Sequence, residues 1–219
     1  MTTVLVMVKS PEPGRVKTRL CPPCTLDEAA ALAAAAITDT FAAVAASGAA
    51  RRIVALDGAV SDFIPSGFEV IAQRGASFNE RLERAWSTTR GPTLQIGMDT
   101  PQITAELIDT SLATLTAGGV HRAVLGDAED GGWWALGLHA ARPGCFEGVA
   151  MSAATTGAEQ RSRLEGFGLE VVGLPMLRDV DLIGDAGVVA ESAPATHFAR
   201  LLAQLDIGGR RFAGIGGPR

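Results

Sequence analysis

The sequence predicts an α/β fold with a central, mostly parallel β-sheet. Short apolar, β-branched runs alternate along the chain with alanine-rich or amphipathic segments, which is typical of strands joined by crossover helices. The clearest run, residues 2–8 (TTVLVMV), has the continuous apolar character of a strand that is buried on both faces. A length of 219 residues suits one domain with a sizeable core.

The remaining elements follow in regular order. Thr25 and Glu28 form a capping box that predicts the start of the first helix, and Ser77 and Thr104 predict two more starts. The predicted helices are 25–46, 77–89, 104–115, 158–167, 182–191 and 194–205. The later predicted strands are 52–56, 68–72, 93–97, 122–125, 133–138 and 169–174, with 126–132 as a loop. The predicted domain spans 1–206, and 207–219 is predicted to be a flexible tail.

Composition and charge exclude several classes of protein. The 19 basic and 24 acidic residues give a net charge of −5, which argues against a nucleic-acid partner, since such proteins need a basic face. Three cysteines, an odd number, do not form a disulfide framework. No secretory signal is indicated, and the apolar stretch 29–37 is far shorter than the roughly 20 residues of a membrane span. We therefore expect a cytoplasmic protein without a membrane span.

The loop after the first strand, residues 9–19 (the basic loop), is unusual in its charge. Only two of the 19 basic residues are lysines, and both of them, Lys9 and Lys17, lie in this loop. A polyphosphate is bound by several fixed positive charges and by exposed backbone donors at a strand end. The loop has four cations against one acid, and its prolines and glycine fix the turn. The predicted phosphate-binding residues are Lys9, Pro13, Gly14, Arg15, Lys17 and Arg19, and the alternative is a solvated basic loop.

Aspartates follow two later strands. Asp99 comes directly after the strand 93–97, and Asp179 and Asp181 come after the last strand. Ligands bind outside the carboxyl ends of strands in such sheets, and Mg²⁺ is typically held by one or two carboxylates together with substrate phosphates. We predict that Asp99 and Asp181 hold Mg²⁺, with Mn²⁺ as an alternative ion. In the other interpretation, Asp99 braces the turn and Asp179 or Asp181 caps the following helix.

Two further motifs lie outside these loops. Asp130 precedes two glycines, which permit close approach of a substrate, and the two tryptophans after them should point to opposite faces of a strand. The predicted substrate loop is Asp130, Gly131, Gly132 and Trp133. Cys21 and Cys24 have the CxxC spacing of a redox or metal site, but only one other cysteine is present and no helix opens at the motif, so this role is not favoured.

Four motifs taken together resemble one protein family. KxPxPGxVKTRL, GxDTP, DGGWWALGL and the late DVD are similar to motifs of a bacterial family of glycosyltransferase-A-like transferases, over residues 2 to about 192. That family is related in fold to the CMP-Kdo synthetases and the molybdenum cofactor guanylyltransferases. The resemblance implies a single Rossmann-like, three-layer domain of the nucleotide-diphospho-sugar transferase (GT-A) type. It also implies that Asp99 and Asp181 match the family's metal-binding aspartates and that the basic loop lies against phosphates.

The sequence departs from the family pattern at three places. Residues 151–153 read Met-Ser-Ala where the family usually has Trp-Ser-Thr, and residues 182–185 replace Thr-Pro-Glu-Asp. Asn79 stands where the family commonly has the glycine of Leu-Gly-Glu-Arg. The first two departures lie on the acceptor side and next to the predicted metal site.

These observations predict a Mg²⁺-dependent transferase that acts on an activated nucleotide, with Lys17, Asp99 and Asp130 as catalytic residues. The resemblance favours a glycosyltransferase that uses a nucleotide-sugar donor and an acceptor that no motif identifies. Four cations are more than a diphosphate needs, which favours instead a nucleotidyltransferase that uses a nucleoside triphosphate and releases pyrophosphate. The alternative from another class is a non-catalytic nucleotide-binding module.

Overall fold

A computed structural model describes residues 1–59, 62–205 and 207 of the chain. One seven-stranded sheet has the order β3-β2-β1-β4-β6-β5-β7. The strands are β1 Thr3–Lys9, β2 Arg51–Asp57, β3 Glu69–Ala72, β4 Thr93–Ile96, β5 Arg122–Ala128, β6 Trp133–Leu138 and β7 Glu170–Leu177. The helices are α1 Leu26–Ala46, α2 Phe78–Trp86, α3 Ala105–Ala117, α4 Thr156–Gly166, α5 Ile183–Ser192 and α6 His197–Gln204, and two short 3₁₀ turns cover Thr18–Leu20 and Gly119–His121.

The sheet is mixed but mostly parallel, as predicted. β1 pairs in parallel with β2 and β4, β2 with β3, and β5 with β7. Only β6, among the described strands, runs antiparallel to its neighbours β4 and β5. Parallel alignment of β1, β2 and β4 brings the carboxyl ends of these strands to one edge of the sheet.

Helices cover both faces of the sheet and complete the predicted three layers. Val6 and Val8 of β1 belong to a first core cluster with side chains of α1 and α3. Leu5 and Met7, which point the other way, belong to a second core cluster with side chains of α2 and α4. β1 is therefore buried on both faces, which accounts for its continuous apolar sequence.

A third core cluster lies on the outer side of α1, against α5 and α6. Asp39 of α1 is buried and accepts hydrogen bonds from the backbone N–H groups of His197 and Phe198, both at 2.8 Å, so it caps α6 across the interface. Ile207 is buried in this cluster. The rest of the predicted tail, residues 208–219, lies outside the described residues.

Helix α1 matches its predicted range 25–46 closely, and it is apolar well beyond the stretch 29–37. Its 21 residues are long and apolar enough, by length and composition alone, to cross a membrane. However, 56% of its most apolar window is buried inside the fold, between the first and third core clusters. The helix thus has the burial of a core helix, and its composition is only weak support for a membrane span.

Two strands extend further than predicted. β5 continues to Ala128 and β7 to Leu177, where Ala128 pairs with Leu177, so part of the predicted loop 126–132 is strand. A bulge shifts the register near Gly126 and Asp127 and breaks the alternation that a strand prediction relies on. At Gly126 a Cβ atom would lie 2.4 Å from the indole nitrogen of Trp134, so the glycine is needed for this packing.

Candidate functional site

A cavity of about 640 Å³ lies at the carboxyl ends of β1, β2 and β4. The loops that follow β1, β3, β4, β5, β6 and β7 contribute to its walls, and β2 contributes its last residue, Asp57. Its lining contains five cationic and five carboxylate side chains: Lys9, Arg15, Lys17, Arg19, Arg81, Asp57, Asp99, Asp130, Asp179 and Asp181. The charged groups of the lining are therefore close to balanced in sign.

Two apolar side chains anchor the basic loop. Val16 is 5% exposed and belongs to the first core cluster, and Leu20 is fully buried in the third. The residues next to these anchors, Arg15, Lys17 and Arg19, all line the cavity. Because Val16 and Leu20 flank the segment that carries Lys17 and Arg19, the packing that fixes the backbone also holds these charges at the cavity.

Lys17 lies at the centre of the charge network. Its Nζ atom is 2.6 Å from Oδ1 of Asp99 and 3.0 Å from Oδ1 of Asp181, and its side chain is only 10% exposed. Burial by itself lowers the pKa of Lys17, but the two carboxylates outweigh it and raise this pKa above its ordinary value. The backbone N–H of Val180 donates to the carbonyl of Asp99 at 2.9 Å, which holds the two aspartate-bearing loops together.

Asp179, unlike Lys17, has no oppositely charged partner among the described residues that offsets the cost of its burial. Its Oδ1 atom is buried and has no hydrogen-bond partner within the described residues. Burial, followed by repulsion from Asp130, Asp99 and Asp181, raises the pKa of Asp179 to about 7. These four residues, which we call the aspartate cluster, thus hold more negative charge than the nearby cations offset.

The predicted metal ligands fit a divalent cation. Asp99 and Asp181 each direct an oxygen at one cation, the ammonium of Lys17. Hard oxygen donors are the ligands that Mg²⁺ prefers, and it is commonly held by only one or two carboxylates besides phosphates. No group of three or more His, Cys, Asp or Glu side chains among the described residues is arranged to hold a metal by itself.

The other predicted phosphate-binding residues differ in position. Arg19 donates to Oδ2 of Asp181 at 3.3 Å, and Arg15 donates to Oε2 of Glu12 at 3.0 Å. Lys9 lines the cavity and forms no ion pair within the part of the chain that the structure describes. Pro13 and Gly14 form an exposed turn outside the cavity lining, so the structure does not bring them to the other residues.

The predicted substrate loop is a tight turn between β5 and β6. Gly131 has a φ of +89°, and a Cβ atom there would lie 2.1 Å from the carbonyl oxygen of Ala154, so only glycine fits. Oδ1 of Asp130 accepts a hydrogen bond from the backbone N–H of Gly132 at 2.8 Å. Asp130, Gly132 and Trp133 line the cavity, whereas Gly131 shapes the turn.

The two tryptophans have different surroundings. Trp134 is 3% exposed, and its indole N–H donates to the carbonyl of Pro175 at 2.9 Å. Trp133 is half-buried beside the cavity, stacks on Phe146, and has a buried indole nitrogen without a partner among the described residues. Trp134 belongs to the first core cluster and Trp133 packs against the second, so the two rings lie on opposite faces of the sheet, as the alternation predicted, and both contribute to the cavity lining.

Arg81, Asp57 and Gln73 are among the cavity residues that were not predicted from the sequence. Arg81 donates to Oδ2 of Asp57 at 2.9 Å, and Gln73 donates to the carbonyls of Val8 and Ala55 at 3.0 and 2.9 Å. The arginine of the family's Leu-Gly-Glu-Arg element was an available signal for Arg81. No motif marks Gln73 or Asp57, since only the pairing of β1, β2 and β3 brings them to the cavity.

Asn79 explains one departure from the family pattern. Its side-chain amide donates to the carbonyls of Phe146 and Val149, at 2.6 and 2.9 Å. The residue therefore ties α2 to the loop after β6, a contact that glycine cannot make.

The aspartate that caps α5 is Asp185. Its Oδ2 accepts from the backbone N–H of Leu182 at 2.8 Å, and its Oδ1 accepts from Arg178 at 3.0 Å. The alternative interpretation, in which Asp179 or Asp181 caps this helix, is therefore wrong. Both of these residues face the cavity instead.

Cys21 is half-buried, Cys24 and Cys145 are buried, and none of the three forms a disulfide bond within the described residues. Burial raises the pKa of the Cys145 thiol to about 12, which makes it a poor nucleophile. None of the three cysteines lines the cavity.

The fold and the strand-end site define the class of protein: the chain has the nucleotide-diphospho-sugar transferase fold. A solved structure from Desulfovibrio desulfuricans G20, described as a "putative nucleotide-diphospho-sugar transferase", is 25% identical and matches with a TM-score of 0.84. The match covers 95% of this chain and 97% of that one. The chain belongs to the family described as "Uncharacterized protein conserved in bacteria (DUF2064)", whose sequence profile matches residues 31–153. No curated protein matches the chain in sequence.

More distant structures share the fold alone. CMP:2-keto-3-deoxy-manno-octonic acid synthetase, solved with CTP, is 12% identical over 88% of this chain and 98% of that one, with a TM-score of 0.56. Rv0371C of Mycobacterium tuberculosis H37Rv, solved with manganese, is 18% identical over 87% of this chain and 97% of that one, with a TM-score of 0.50. The predicted resemblance to a GT-A-like family related in fold to CMP-Kdo synthetases is confirmed.

Proposed function

We propose that this protein is a Mg²⁺-dependent transferase of the glycosyltransferase-A type, which uses a nucleotide-sugar donor bound in the cavity. The main support is that the basic loop and the aspartate cluster meet at Lys17 inside one cavity with five cations and five carboxylates. A nucleotide complexed with a divalent cation presents both charges, so its phosphates suit the cations and its metal suits the carboxylates. We also propose, as the sequence predicts, that the protein acts in the cytoplasm.

Each part of the cavity has a proposed role. Asp99 and Asp181 hold the metal, which when bound neutralises charge on the diphosphate. Lys9, Arg15, Lys17 and Arg19 donate to the phosphate oxygens from the same side of the cavity. The substrate loop from Asp130 to Trp133 contacts the sugar or the acceptor.

The proposed reaction breaks the bond between the anomeric carbon and the phosphate oxygen of the donor. Negative charge then grows on the nucleoside diphosphate that leaves, while the acceptor hydroxyl forms the new bond to the anomeric carbon and passes its proton to a carboxylate of the cavity. The packing of Val16 and Leu20 fixes the backbone that carries Lys17 and Arg19, so only their side chains have to adjust to stabilise this charge.

Nucleotidyl transfer is the second candidate. In that reaction the acceptor attacks the α-phosphorus of a nucleoside triphosphate, and pyrophosphate leaves. The number of loop cations favours it, and so does the shared fold with a synthetase that was solved with CTP. Against it, Arg15 already contacts Glu12 and lies 3.8 Å from Asp57, which leaves less positive charge for a third phosphate.

The two reactions are separated by their products. The protein is incubated with Mg²⁺ and with separate panels of nucleotide sugars and nucleoside triphosphates, and the release of nucleoside diphosphate and of pyrophosphate is measured. Release of nucleoside diphosphate supports the proposal, whereas pyrophosphate release supports the second candidate.

A matched pair of variants tests the role of the metal site. Asp99→Asn should abolish turnover, whereas Asp62→Asn, which removes the same charge from an exposed position, should not change it. Tight nucleotide binding without turnover, unaffected by Mg²⁺ or by Asp99→Asn, would contradict the proposal and indicate a non-catalytic module.

A further inference from the structure

The ammonium of Lys17 lies where a metal ion would be expected. It contacts one oxygen of Asp99 and one of Asp181, at 2.6 and 3.0 Å, and these are the residues that fit a divalent cation. Lys17 is also better shielded than the other loop cations, because its side chain is 10% exposed whereas those of Arg15 and Arg19 are 47% and 69% exposed. The ammonium of Lys17 thus occupies the position between the two carboxylates that a metal ion would take.

A metal ion and this ammonium compete for the same oxygens. A divalent ion that binds Asp99 and Asp181 must expel the ammonium, and without another partner that buried charge would be left uncompensated. A nucleotide removes the difficulty, because its phosphate offers the ammonium a new partner in the same cavity. Metal alone should therefore bind weakly, and metal together with a phosphate should bind much more strongly.

We propose that Lys17 is an exchangeable cation, which holds Asp99 and Asp181 together until a metal–nucleotide complex displaces its ammonium onto the phosphates. This inference rests on the proposed function. The movement is confined to the side chain, because Val16 and Leu20 fix the backbone on either side of Lys17. A lysine suits the exchange, since its flexible stem lets a compact charge move without the fixed fork geometry of arginine.

The exchange makes metal and diphosphate binding cooperative. Each ligand removes part of the cost of binding the other, so each should raise the affinity for the other by the same factor. The alternative, in which Lys17 permanently takes the place of a metal, predicts no such coupling.

The first test measures Mn²⁺ binding to the full chain without nucleotide, from the electron paramagnetic resonance signal of free Mn²⁺. Lys17→Met should bind Mn²⁺ about tenfold more tightly than the wild type, or more, because the competing cation is gone. Lys9→Met is the matched control, since it removes the same charge from the same loop but from a residue outside the described ion pairs; it should change Mn²⁺ affinity much less. Equal Mn²⁺ affinity of Lys17→Met and the wild type would overturn the proposal.

The second test follows the wild-type protein, and the Lys9→Met variant is needed only to assign the signals. The chain has only two lysines, so ¹³C-lysine labelling gives one Cε resonance for Lys17 and one for Lys9. Mg²⁺ with inorganic pyrophosphate should shift the Lys17 resonance far more than Mg²⁺ alone, and Lys9→Met assigns the two signals.

The ³¹P spectrum of the pyrophosphate reports binding independently. Pyrophosphate that binds while the Lys17 resonance stays unchanged would overturn the exchange and leave the proposed function intact. If Mg²⁺–pyrophosphate does not bind at all, the proposed function and this inference both fail.

Discussion

Lys17 and Asp179 respond in opposite ways to the same negatively charged surroundings. Lys17 is buried between two carboxylates, so its charged form is stabilised. Asp179 is half-buried near three carboxylates, and its buried Oδ1 has no hydrogen-bond partner among the described residues, so its charged form is destabilised. At the scale of single residues, the site therefore combines one cation that is strongly held with one anion that lacks a partner.

Replacement of Lys17 by alanine should weaken nucleotide binding by about 10- to 100-fold, since charge-assisted hydrogen bonds contribute about 1.5–3 kcal/mol. Arg90→Ala removes the same charge from an exposed position just before β4, at the opposite edge of the sheet, and should have little effect. Isothermal titration calorimetry measures the affinity of both variants for the nucleotide that the wild type turns over in the substrate panels. Equal, small effects would show that Lys17 does not contact the ligand.

The raised pKa of Asp179 predicts how stability depends on pH. Between the ordinary pKa near 4 and about 7 the folded state keeps a proton that the unfolded chain has lost, so stability falls as the pH rises through this window. Asp179→Asn should therefore have a higher melting temperature than the wild type at pH 8, but a similar one at pH 5, with about 2–4 °C for each kcal/mol of repulsion relieved. Thermal unfolding in EDTA measures this, and a difference of equal size at both pH values would contradict it.

At the scale of elements, the turn between β5 and β6 depends on one glycine. Gly131 combines a positive φ with close contact to the backbone of residue 154. The strand before this turn also differs from the sequence prediction, because β5 continues past its predicted end at Leu125 to Ala128, through a bulge near Gly126. Starts of helices were easier to predict, since Thr25, Ser77 and Thr104 each cap a helix through their own side chain.

Gly131→Ala should destabilise the protein by about 2 kcal/mol more than Gly148→Ala. Gly148 is a matched control: its φ of +77° is close to the +89° of Gly131, but a Cβ atom there meets nothing within 4 Å. Both alanines share the left-handed strain of about 1 kcal/mol, so the difference reports the clash with residue 154. Urea unfolding gives the free energy of unfolding of both variants. Similar losses of stability would mean that the turn relaxes to accommodate the added Cβ atom of residue 131.

At the scale of the whole molecule, the sequence predicted the sheet, the basic loop and the two aspartates but not how they meet. Lys17 lies 82 positions from Asp99 and 164 from Asp181, and no local pattern encodes a contact over such distances. Gln73 has no motif and reaches the cavity only because β3 pairs with β2. The resemblance to a family supplied the expectation of a shared site, and the structure supplies the contacts.

A ligand that binds only the folded state stabilises the whole molecule. With Mg²⁺ present, the correct nucleotide at about 100 times its Kd should add about 2.7 kcal/mol, or about 5–11 °C in melting temperature. Mg²⁺ alone should shift the melting temperature much less. A thermal-shift screen across bases and sugars measures this and also identifies the donor. If no nucleotide raises the melting temperature, the cavity is not a nucleotide site.

The anchoring of the basic loop by Val16 and Leu20 in two separate core clusters also affects the kinetics of binding. Because the loop is already folded, ligand binding should bury little additional apolar surface, so its heat-capacity change should be small. The observed association rate should rise linearly with nucleotide concentration, with no plateau set by a loop that must first close. Stopped-flow measurements of the association rate would then show that the binding site is accessible before the nucleotide binds.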